Sequence, residues 1–234
     1  MYNLLTIVIP IKNEEKYIGR LLQELYYQNI GSTQIIISDA NSSDKSLEII
    51  ECFRQLYDLN IIVIKGGLPS VGRNRGSTMV KTPYILFIDG DITFTKNNAI
   101  FDAILLIGDK ELLSSTPVYF GETDIFASVM FFMNKYTTAL LSKFHPFAVG
   151  GFTMVKTESF NRVGGYNENV IQSEDWLFSK QFKPKEFKLI HGLFTQDNRR
   201  FKKFGYLNMI KMMVNNFINR NNLNHFKKDN GYWD

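Results

Sequence analysis

The stretch Pro83-Tyr84-Ile85-Leu86-Phe87-Ile88-Asp89-Gly90-Asp91 decides how the rest of this sequence is interpreted. Its apolar, β-prone residues predict a buried strand that ends in two carboxylates separated by one glycine. Open α/β sheets bind their ligands at the carboxyl ends of strands. Two carboxylates buried there without a partner would be unfavourable, whereas their oxygens suit Mg²⁺ or Mn²⁺ shared with substrate phosphates. The alternative is a solvated turn, because Asp and Gly both favour turns.

Outward from this strand, strand and helix patterns alternate. Predicted strands cover residues 4–10, 34–39, 60–65 and 84–88, and predicted helices cover 14–28, 44–56, 71–81 and 97–107. The alternation predicts an α/β fold with a mainly parallel sheet between layers of helices. Beyond residue 107 it breaks, with strand patterns at 112–120, 147–156 and 187–196 and helix patterns at 122–143, 157–163 and 174–182. Ser173 is predicted to cap the last of these helices, and Gly150-Gly151 indicates a close approach of the backbone to a ligand.

The composition is that of one globular domain with a moderate positive charge. Of the 234 residues 44% are hydrophobic, and the formal net charge is +4. This charge does not indicate nucleic-acid binding, but it fits an anionic substrate or an anionic membrane surface. Cys52 is the single cysteine, which rules out a disulfide within the chain and favours a cytoplasmic location. We expect no signal peptide, because the N-terminal residues show neither a basic region nor a cleavage site. We expect no membrane-spanning helix, because no stretch approaches ~20 apolar residues.

Several acids follow predicted strands and would therefore share one edge of a parallel sheet. Glu14 and Asp39 follow the first two strands, and Asp89 and Asp91 follow the fourth. A nucleotide would fit such a cleft, with carboxylates accepting from base and ribose and a metal neutralising the diphosphate. Arg73, on the helix before the fourth strand, either supplies charge-assisted bonds to base or phosphate or lies on a solvated helix face.

Two common nucleotide-binding motifs are absent from the sequence. No G-x-G-x-x-G follows the first strand, which disfavours a dinucleotide-binding oxidoreductase. No G-x-x-x-x-G-K-[ST] occurs, which disfavours a P-loop NTPase.

Seven short motifs, taken in order, resemble those of the family 2 glycosyltransferases. They are Thr6–Glu15, Asp39–Asp44, Gly72–Gly76, Asp89–Asp91, Gly150–Phe152, Val163–Tyr166 and Ser173–Trp176. Each motif is weak alone, but their order and spacing over roughly residues 4–200 are specific. The resemblance implies the GT-A fold and a metal-dependent, inverting transfer of sugar from a nucleotide diphosphate donor, with UDP-sugar and Mn²⁺ or Mg²⁺ as the first expectation. It also implies one domain over 1–234, with a nucleotide-sugar half (1–95), an acceptor-side half (96–200) and a basic amphipathic tail (201–234).

The resemblance also implies roles for individual residues on the donor side. Pro10 and Glu14 would flank the base, and Asp39 would hold the uridine or ribose. Asp89 would sit near the ribose and the metal, and Asp91 would ligate the metal.

On the acceptor side, Asp175, preceded by Glu174, would be the catalytic base. Inverting transfer needs a carboxylate that deprotonates the acceptor hydroxyl. Without the family pattern, both acids would be ordinary N-terminal helix charge.

Three further features each leave two interpretations open. His191 either completes the metal site or is structural. Arg199 and Arg200 either steady the leaving diphosphate through bidentate contacts or begin a solvated helix. The apolar faces within 125–141 and 206–226 either lie on a membrane as interfacial helices or make core, dimer or lid contacts.

Two alternative functions also remain at this point. The first is a non-catalytic sugar-nucleotide binder or scaffold. The second is a sugar nucleotidyltransferase, which the sequence disfavours because the segment after the first strand lacks glycine. The sequence leaves the acceptor open between glycan, lipid-linked and small-molecule classes.

Overall fold

The computed structural model describes residues 3–228, in which eight strands form one sheet in the order β3-β2-β1-β4-β7-β6-β8-β5. The strands are β1 (Leu5–Ile11), β2 (Gln34–Asp39), β3 (Ile61–Lys65), β4 (Tyr84–Ile88), β5 (Thr93–Phe94), β6 (Leu112–Tyr119), β7 (Phe152–Lys156) and β8 (Phe187–Gln196). Strands β1 to β4, the first four along the chain, pair with one another in parallel, whereas β7 runs antiparallel to both β4 and β6. This mixed, mainly parallel sheet confirms the predicted fold class.

Helices cover the sheet and extend from its second half. They are α1 (Ile18–Tyr27), α2 (Ser46–Leu56), α3 (Pro69–Ser77), α4 (Ala99–Ile107), α5 (Ile125–Leu141), α6 (Thr157–Val163), α7 (Glu174–Ser179), α8 (Arg199–Phe204), α9 (Tyr206–Ile218) and α10 (Leu223–Phe226). A 3₁₀ turn at Pro184–Glu186 leads into β8. Within residues 3–228, no helix combines the length and apolar character needed to cross a bilayer.

The central strands are buried on both faces, as continuous apolar runs predict for a parallel sheet. Side chains of β1 and β4 divide between the two sides of the sheet: Ile7 and Leu86 pack on one side, and Val8 and Phe87 on the other. Because β4 lies between β1 and β7, its carboxyl end opens at the middle of the sheet edge. The fold therefore places Asp89 and Asp91 near the middle of the edge formed by the carboxyl ends of the parallel strands.

Helix α3 packs onto the sheet through glycines. A methyl group at Gly76 would lie 2.4 Å from Val8 Cγ1, and one at Gly72 would lie 2.9 Å from Ser38 Oγ. Residues four apart share a helix face, so the two glycines let the helix backbone approach β1 and β2 closely. Arg73, beside Gly72, is carried into the interior as a result.

Several predicted boundaries differ from the structure. Helix α3 runs from Pro69 to Ser77 rather than over 71–81, and β7 begins at Phe152 rather than at 147. Ser173 makes no side-chain capping bond and has a φ of 57°, so the predicted cap is wrong. The last six residues of the predicted tail, 229–234, lie outside the described part of the chain.

Candidate active site

One buried arginine joins three carboxylates at the carboxyl end of β4. Arg73 Nη2 donates to Asp89 Oδ1 at 2.8 Å, and Arg73 Nη1 donates to Glu174 Oε1 at 2.8 Å. The same Nη1 lies 3.2 Å from Asp175 Oδ1. With the Arg73 side chain only 2% exposed, this cluster links α3 and β4 of the first half to α7 of the second.

The position of Arg73 excludes the solvated interpretation of the sequence. It is not on a solvated helix face, and it is not among the residues that line the two cavities described below. Burial disfavours its charge, yet the negative charges of Asp175 and Asp89 raise the pKa of Arg73 well above its ordinary value. Arg73 contacts the carboxylates that surround the site, and its direct contact with a nucleotide stays a prediction.

Asp175 faces Asp89 across Gly150. A methyl group at Gly150 would lie 2.6 Å from Asp175 Oδ2 and 3.8 Å from Asp89 Oδ2. Burial raises the pKa of Asp175 to about 8; Arg73 opposes this rise and the negative charge of Glu174 adds to it. A carboxylate whose pKa lies near neutrality suits proton abstraction. The close approach predicted at Gly150 is thus made to a carboxylate of the protein.

Asp91 lies among cationic groups at the same edge. The Arg199 guanidinium pairs with Asp91 Oδ2, and Arg20 donates to the Asp91 backbone oxygen at 3.3 Å. Arg199 Cζ also lies 4.4 Å from the centre of the Tyr17 ring. The Asp91 side chain is 6% exposed, and within residues 3–228 its Oδ1 has no hydrogen-bond partner. A buried, unpartnered carboxylate oxygen close to Asp89 fits a divalent cation, because hard oxygen donors are what Mg²⁺ and Mn²⁺ prefer.

A cavity of about 650 Å³ extends from the two aspartates along the sheet edge, and we call it the donor cavity. Five residues predicted for the donor line it: Pro10, Glu14, Asp89, Arg199 and Arg200. Burial raises the pKa of Glu14, and the charge of Arg199 opposes that rise. The structure therefore gathers these predicted residues around one space.

Asp39 lies at the margin of the donor cavity and is tied to its own turn. Its carboxylate accepts from the Ser42 amide at 3.2 Å and from Ser42 Oγ at 2.5 Å. The neighbouring Ala40 lines the cavity, whereas Asp39 does not. A contact from Asp39 to a ribose or base remains a prediction.

A second cavity, of about 220 Å³, opens on the other side of Asp175, and we call it the acceptor-side cavity. Its inner end is polar and includes Gln172, Glu174 and Asp175. Its outer wall comes from α5, α8 and α9. The apolar lining residues on that wall are Met130, Phe131, Phe201, Met209, Met212 and Met213. Asp89, Arg199 and Arg200 line both cavities, so these residues separate the two spaces.

His191 does not join the aspartates. Its Nδ1 lies 2.8 Å from Thr116 Oγ1 on the paired strand, and burial together with Lys135 lowers the pKa of His191. Within the described 3–228 range, no three His, Cys, Asp or Glu side chains form a group able to hold a metal. The contact with Thr116 agrees with the structural interpretation of His191, and its role as a metal ligand stays a prediction.

Sequence reasoning missed two residues that hold the site. Tyr166 is buried, and its ring lies 5.3 Å from Arg73 Cζ. Asn74 fixes that loop, because its Oδ1 accepts from the Tyr166 amide at 2.9 Å and its Nδ2 donates to the Tyr166 carbonyl at 2.8 Å. Both residues belong to motifs quoted from the sequence, yet only tertiary structure shows that the motifs contact each other.

Known proteins are similar to this chain in both sequence and fold. Residues 6–164 match the family model described as Glycosyl transferase family 2. The 4,4'-diaponeurosporenoate glycosyltransferase of Staphylococcus aureus strain MRSA252 is 28% identical over 188 residues, which are 72% of this chain and 48% of the relative. The chain therefore spans about half the length of the curated relatives it matches.

Solved structures extend this similarity to most of the chain. S. aureus TarS 1-349 in complex with UDP has a TM-score of 0.63 at 18% identity, covering 83% of this chain and 60% of that one. The mannosyltransferase PcManGT from Pyrobaculum calidifontis, in complex with GDP-Man and Mn²⁺, has a TM-score of 0.68 at 14% identity, covering 90% and 64%. At these identities, the likeness shows a shared fold.

Proposed function

This chain belongs to glycosyl transferase family 2 and has the GT-A fold, and from that premise we propose that it is an inverting glycosyltransferase. The donor is a nucleoside diphosphate sugar, with a UDP-sugar as the first choice, and the acceptor supplies a hydroxyl. One observation carries the proposal: Asp175 and Asp89 both lie beside Gly150, Asp175 lines the acceptor-side cavity, and Asp89 lines both cavities. Transfer between two substrates needs a place where the donor sugar and the acceptor hydroxyl come into contact.

The donor cavity accounts for the nucleotide half of the reaction. Pro10 and Glu14 lie at the end where the base would bind, and Arg199 and Arg200 lie where the diphosphate would reach the aspartates. Guanidinium groups recognise phosphate oxygens through paired hydrogen bonds. Two structural neighbours were solved with UDP-GlcNAc and GDP-Man, which supports a nucleotide sugar in this space.

Asp91 and Asp89 are the residues that would hold Mg²⁺ or Mn²⁺. The buried, unpartnered Oδ1 of Asp91 supports this assignment, and PcManGT was solved with Mn²⁺. When bound, the ion supplies positive charge that stabilises the departing diphosphate. Two protein carboxylates leave the remaining coordination positions to phosphate oxygens and water, which is usual for Mg²⁺.

Asp175 takes the acceptor proton. The acceptor oxygen forms a bond to the anomeric carbon, and the bond from that carbon to the diphosphate oxygen breaks. The nucleoside diphosphate leaves with the electron pair. The hydroxyl proton passes to the Asp175 carboxylate, which Arg73 holds in place from the opposite side. Attack opposite the leaving group inverts the configuration at the anomeric carbon.

The test is an Asp175→Asn variant assayed with a panel of nucleotide sugars and Mn²⁺. We expect unchanged donor binding in a thermal-shift titration and a loss of transfer of about 10²–10⁴-fold. Asp109→Asn, which changes a carboxylate whose side chain is 85% exposed, is the matched control and should retain full activity. If Asp175→Asn transfers at the wild-type rate, another base acts. Donor binding without hydrolysis or transfer by the wild type would instead favour the non-catalytic binder.

The proposal includes action at the cytoplasmic surface of a membrane. Residues 199–228 contain eight Lys and Arg and no Asp or Glu, and α9 exposes an apolar stripe that includes Leu207, Ile210, Val214 and Phe217. Basic, amphipathic helices of this kind lie in the headgroup region of anionic bilayers.

Co-sedimentation with phosphatidylglycerol vesicles tests this part of the proposal. The wild type should pellet with them at low salt and be released at high salt. Leu207→Asn combined with Phe217→Asn should weaken pelleting, whereas Leu105→Asn, an exposed leucine on α4, should not. Equal pelleting of all three proteins would exclude the α9 stripe as the contact.

A further inference from the structure

The acceptor-side cavity changes character along its length. At its inner end, Gln172 and Asp175 are polar. On the wall formed by α5, α8 and α9, four of the chain's eight methionines, Met130, Met209, Met212 and Met213, line it together with Phe131 and Phe201. A cavity built to hold a purely polar sugar acceptor along its whole length would require hydrogen-bonding groups at both ends.

Methionine is suited to binding apolar groups of variable shape. Its side chain is unbranched and polarizable, and it adapts to irregular partners without a fixed geometry. Met130 and Met209 are buried, and Met213 is 40% exposed at the mouth of the cavity. The apolar lining thus includes both buried and partly exposed methionines.

The surface around the mouth continues the apolar lining. On α5, Phe126, Val129, Phe132 and Met133 are exposed, and on α9, Ile210 and Val214 are exposed beside Met213. Neither residues 125–144 nor residues 199–228 contain Asp or Glu. Asn134, Asn216 and Asp197 also line the cavity, so the apolar surface forms one wall of it, between α5 and α9, and not its whole lining.

We propose that this cavity binds an amphipathic acceptor, with its hydroxyl at Asp175 and its apolar body between α5 and α9. The inference rests on the proposed glycosyl transfer and adds the chemical class of the acceptor, an alcohol with a long hydrocarbon portion. The acceptor oxygen bonds to the anomeric carbon and loses its proton to Asp175, while the diphosphate departs. The outer apolar wall holds the part of the acceptor that takes no part in the chemistry.

The experiment uses 1-butanol, 1-hexanol and 1-octanol as probes of the wild-type chain. Calorimetric titration measures their binding, and transfer from a nucleotide sugar measures their use as acceptors. Burying each added methylene in an apolar site should tighten binding and raise kcat/KM about threefold. Binding and transfer that do not depend on chain length would overturn the proposal.

Met213→Gln and Met79→Gln form a matched pair. Both methionines are partly exposed, 40% and 37%, but Met213 lines the cavity and Met79 does not. Met213→Gln should lower the octanol-to-butanol ratio, in binding and in kcat/KM, at least threefold, and Met79→Gln should leave both ratios unchanged. Equal ratios in the two variants would contradict the assignment.

Failure of this proposal can be distinguished from failure of the proposed function. Transfer to butanol or to a sugar, without any gain from longer chains, leaves the glycosyltransferase standing and removes the apolar acceptor. Octanol binding that depends on Met213, without transfer from any nucleotide sugar, removes the proposed reaction and its acceptor while leaving an apolar binding site.

Discussion

Replacing Arg73 with methionine should destabilise the folded chain by about 3–5 kcal/mol at pH 7, the usual cost of removing one partner of a buried ion pair. The Arg73 guanidinium contacts Asp89, Glu174 and Asp175, and the Glu174 side chain is only 5% exposed. Methionine preserves much of the volume but leaves three carboxylates without their shared cation. Arg162→Met is the control, because Arg162 is 52% exposed and lies 3.6 Å from Glu186; a surface pair of this kind contributes less than about 1 kcal/mol.

Urea unfolding followed by circular dichroism measures the Arg73 effect. With a slope of about 2–3 kcal/mol per molar urea, the midpoint should fall by roughly 1–2 M in Arg73→Met. Protonation relieves the repulsion between uncompensated carboxylates, so their pKa values in the folded variant rise above the unfolded values. Stability from such groups is present at low pH and lost as pH rises, so the deficit should be smaller at pH 5 than at pH 7. A loss below about 1 kcal/mol, or a deficit that grows toward pH 5, would refute the role given to Arg73.

Three further predictions concern catalysis. Since burial raises the pKa of Asp175 to about 8, and the base must be ionised, kcat/KM should rise with pH toward about 8 and level off above it; a flat profile from pH 6 to 9 would argue against Asp175. Gly150→Ala puts a methyl group 2.6 Å from Asp175 Oδ2, so kcat should fall about 100-fold while nucleotide binding, measured by thermal shift, persists. Asp91→Asn should weaken Mn²⁺-dependent binding of UDP at least tenfold in the same thermal-shift titration, and wild-type affinity would remove Asp91 from the metal site.

Much of the fold could be predicted because local sequence carries the relevant physics. Strands β2, β4 and β8 begin and end at the predicted residues; β2 and β4 are mainly apolar runs, whereas β8 mixes apolar and polar residues. Strand β5, by contrast, has two residues and pairs with β8, and no periodicity can be detected over two positions. The division of the chain at residues 95 and 200 stays a prediction.

The residues that the structure brings together at the candidate site could be named from the sequence, but their contacts could not. Asp89, Asp91, Asp175 and the cavity-lining arginines come from motifs that mark the ends of elements. The partners of Arg73 could not be predicted, because Glu174 lies 101 positions away in the sequence and meets it only through the packing of α3 and α7. The partner of His191 could not be predicted for a similar reason. Its strand neighbour is Thr116, and the sequence contains no signal of that register.

The glycine contacts of α3 also affect how the chain folds. Two glycines in nine residues weaken the intrinsic helicity of this segment, and short helices are marginal on their own. Helix α3 therefore depends on β1 and β2 being present beneath it, and the guanidinium that organises the site enters the interior only when that surface exists. We expect the amides of α3 to exchange hydrogen at the same rate as those of β1, because α3 should unfold together with the sheet. A chain that has lost its sheet should therefore retain no partly formed site.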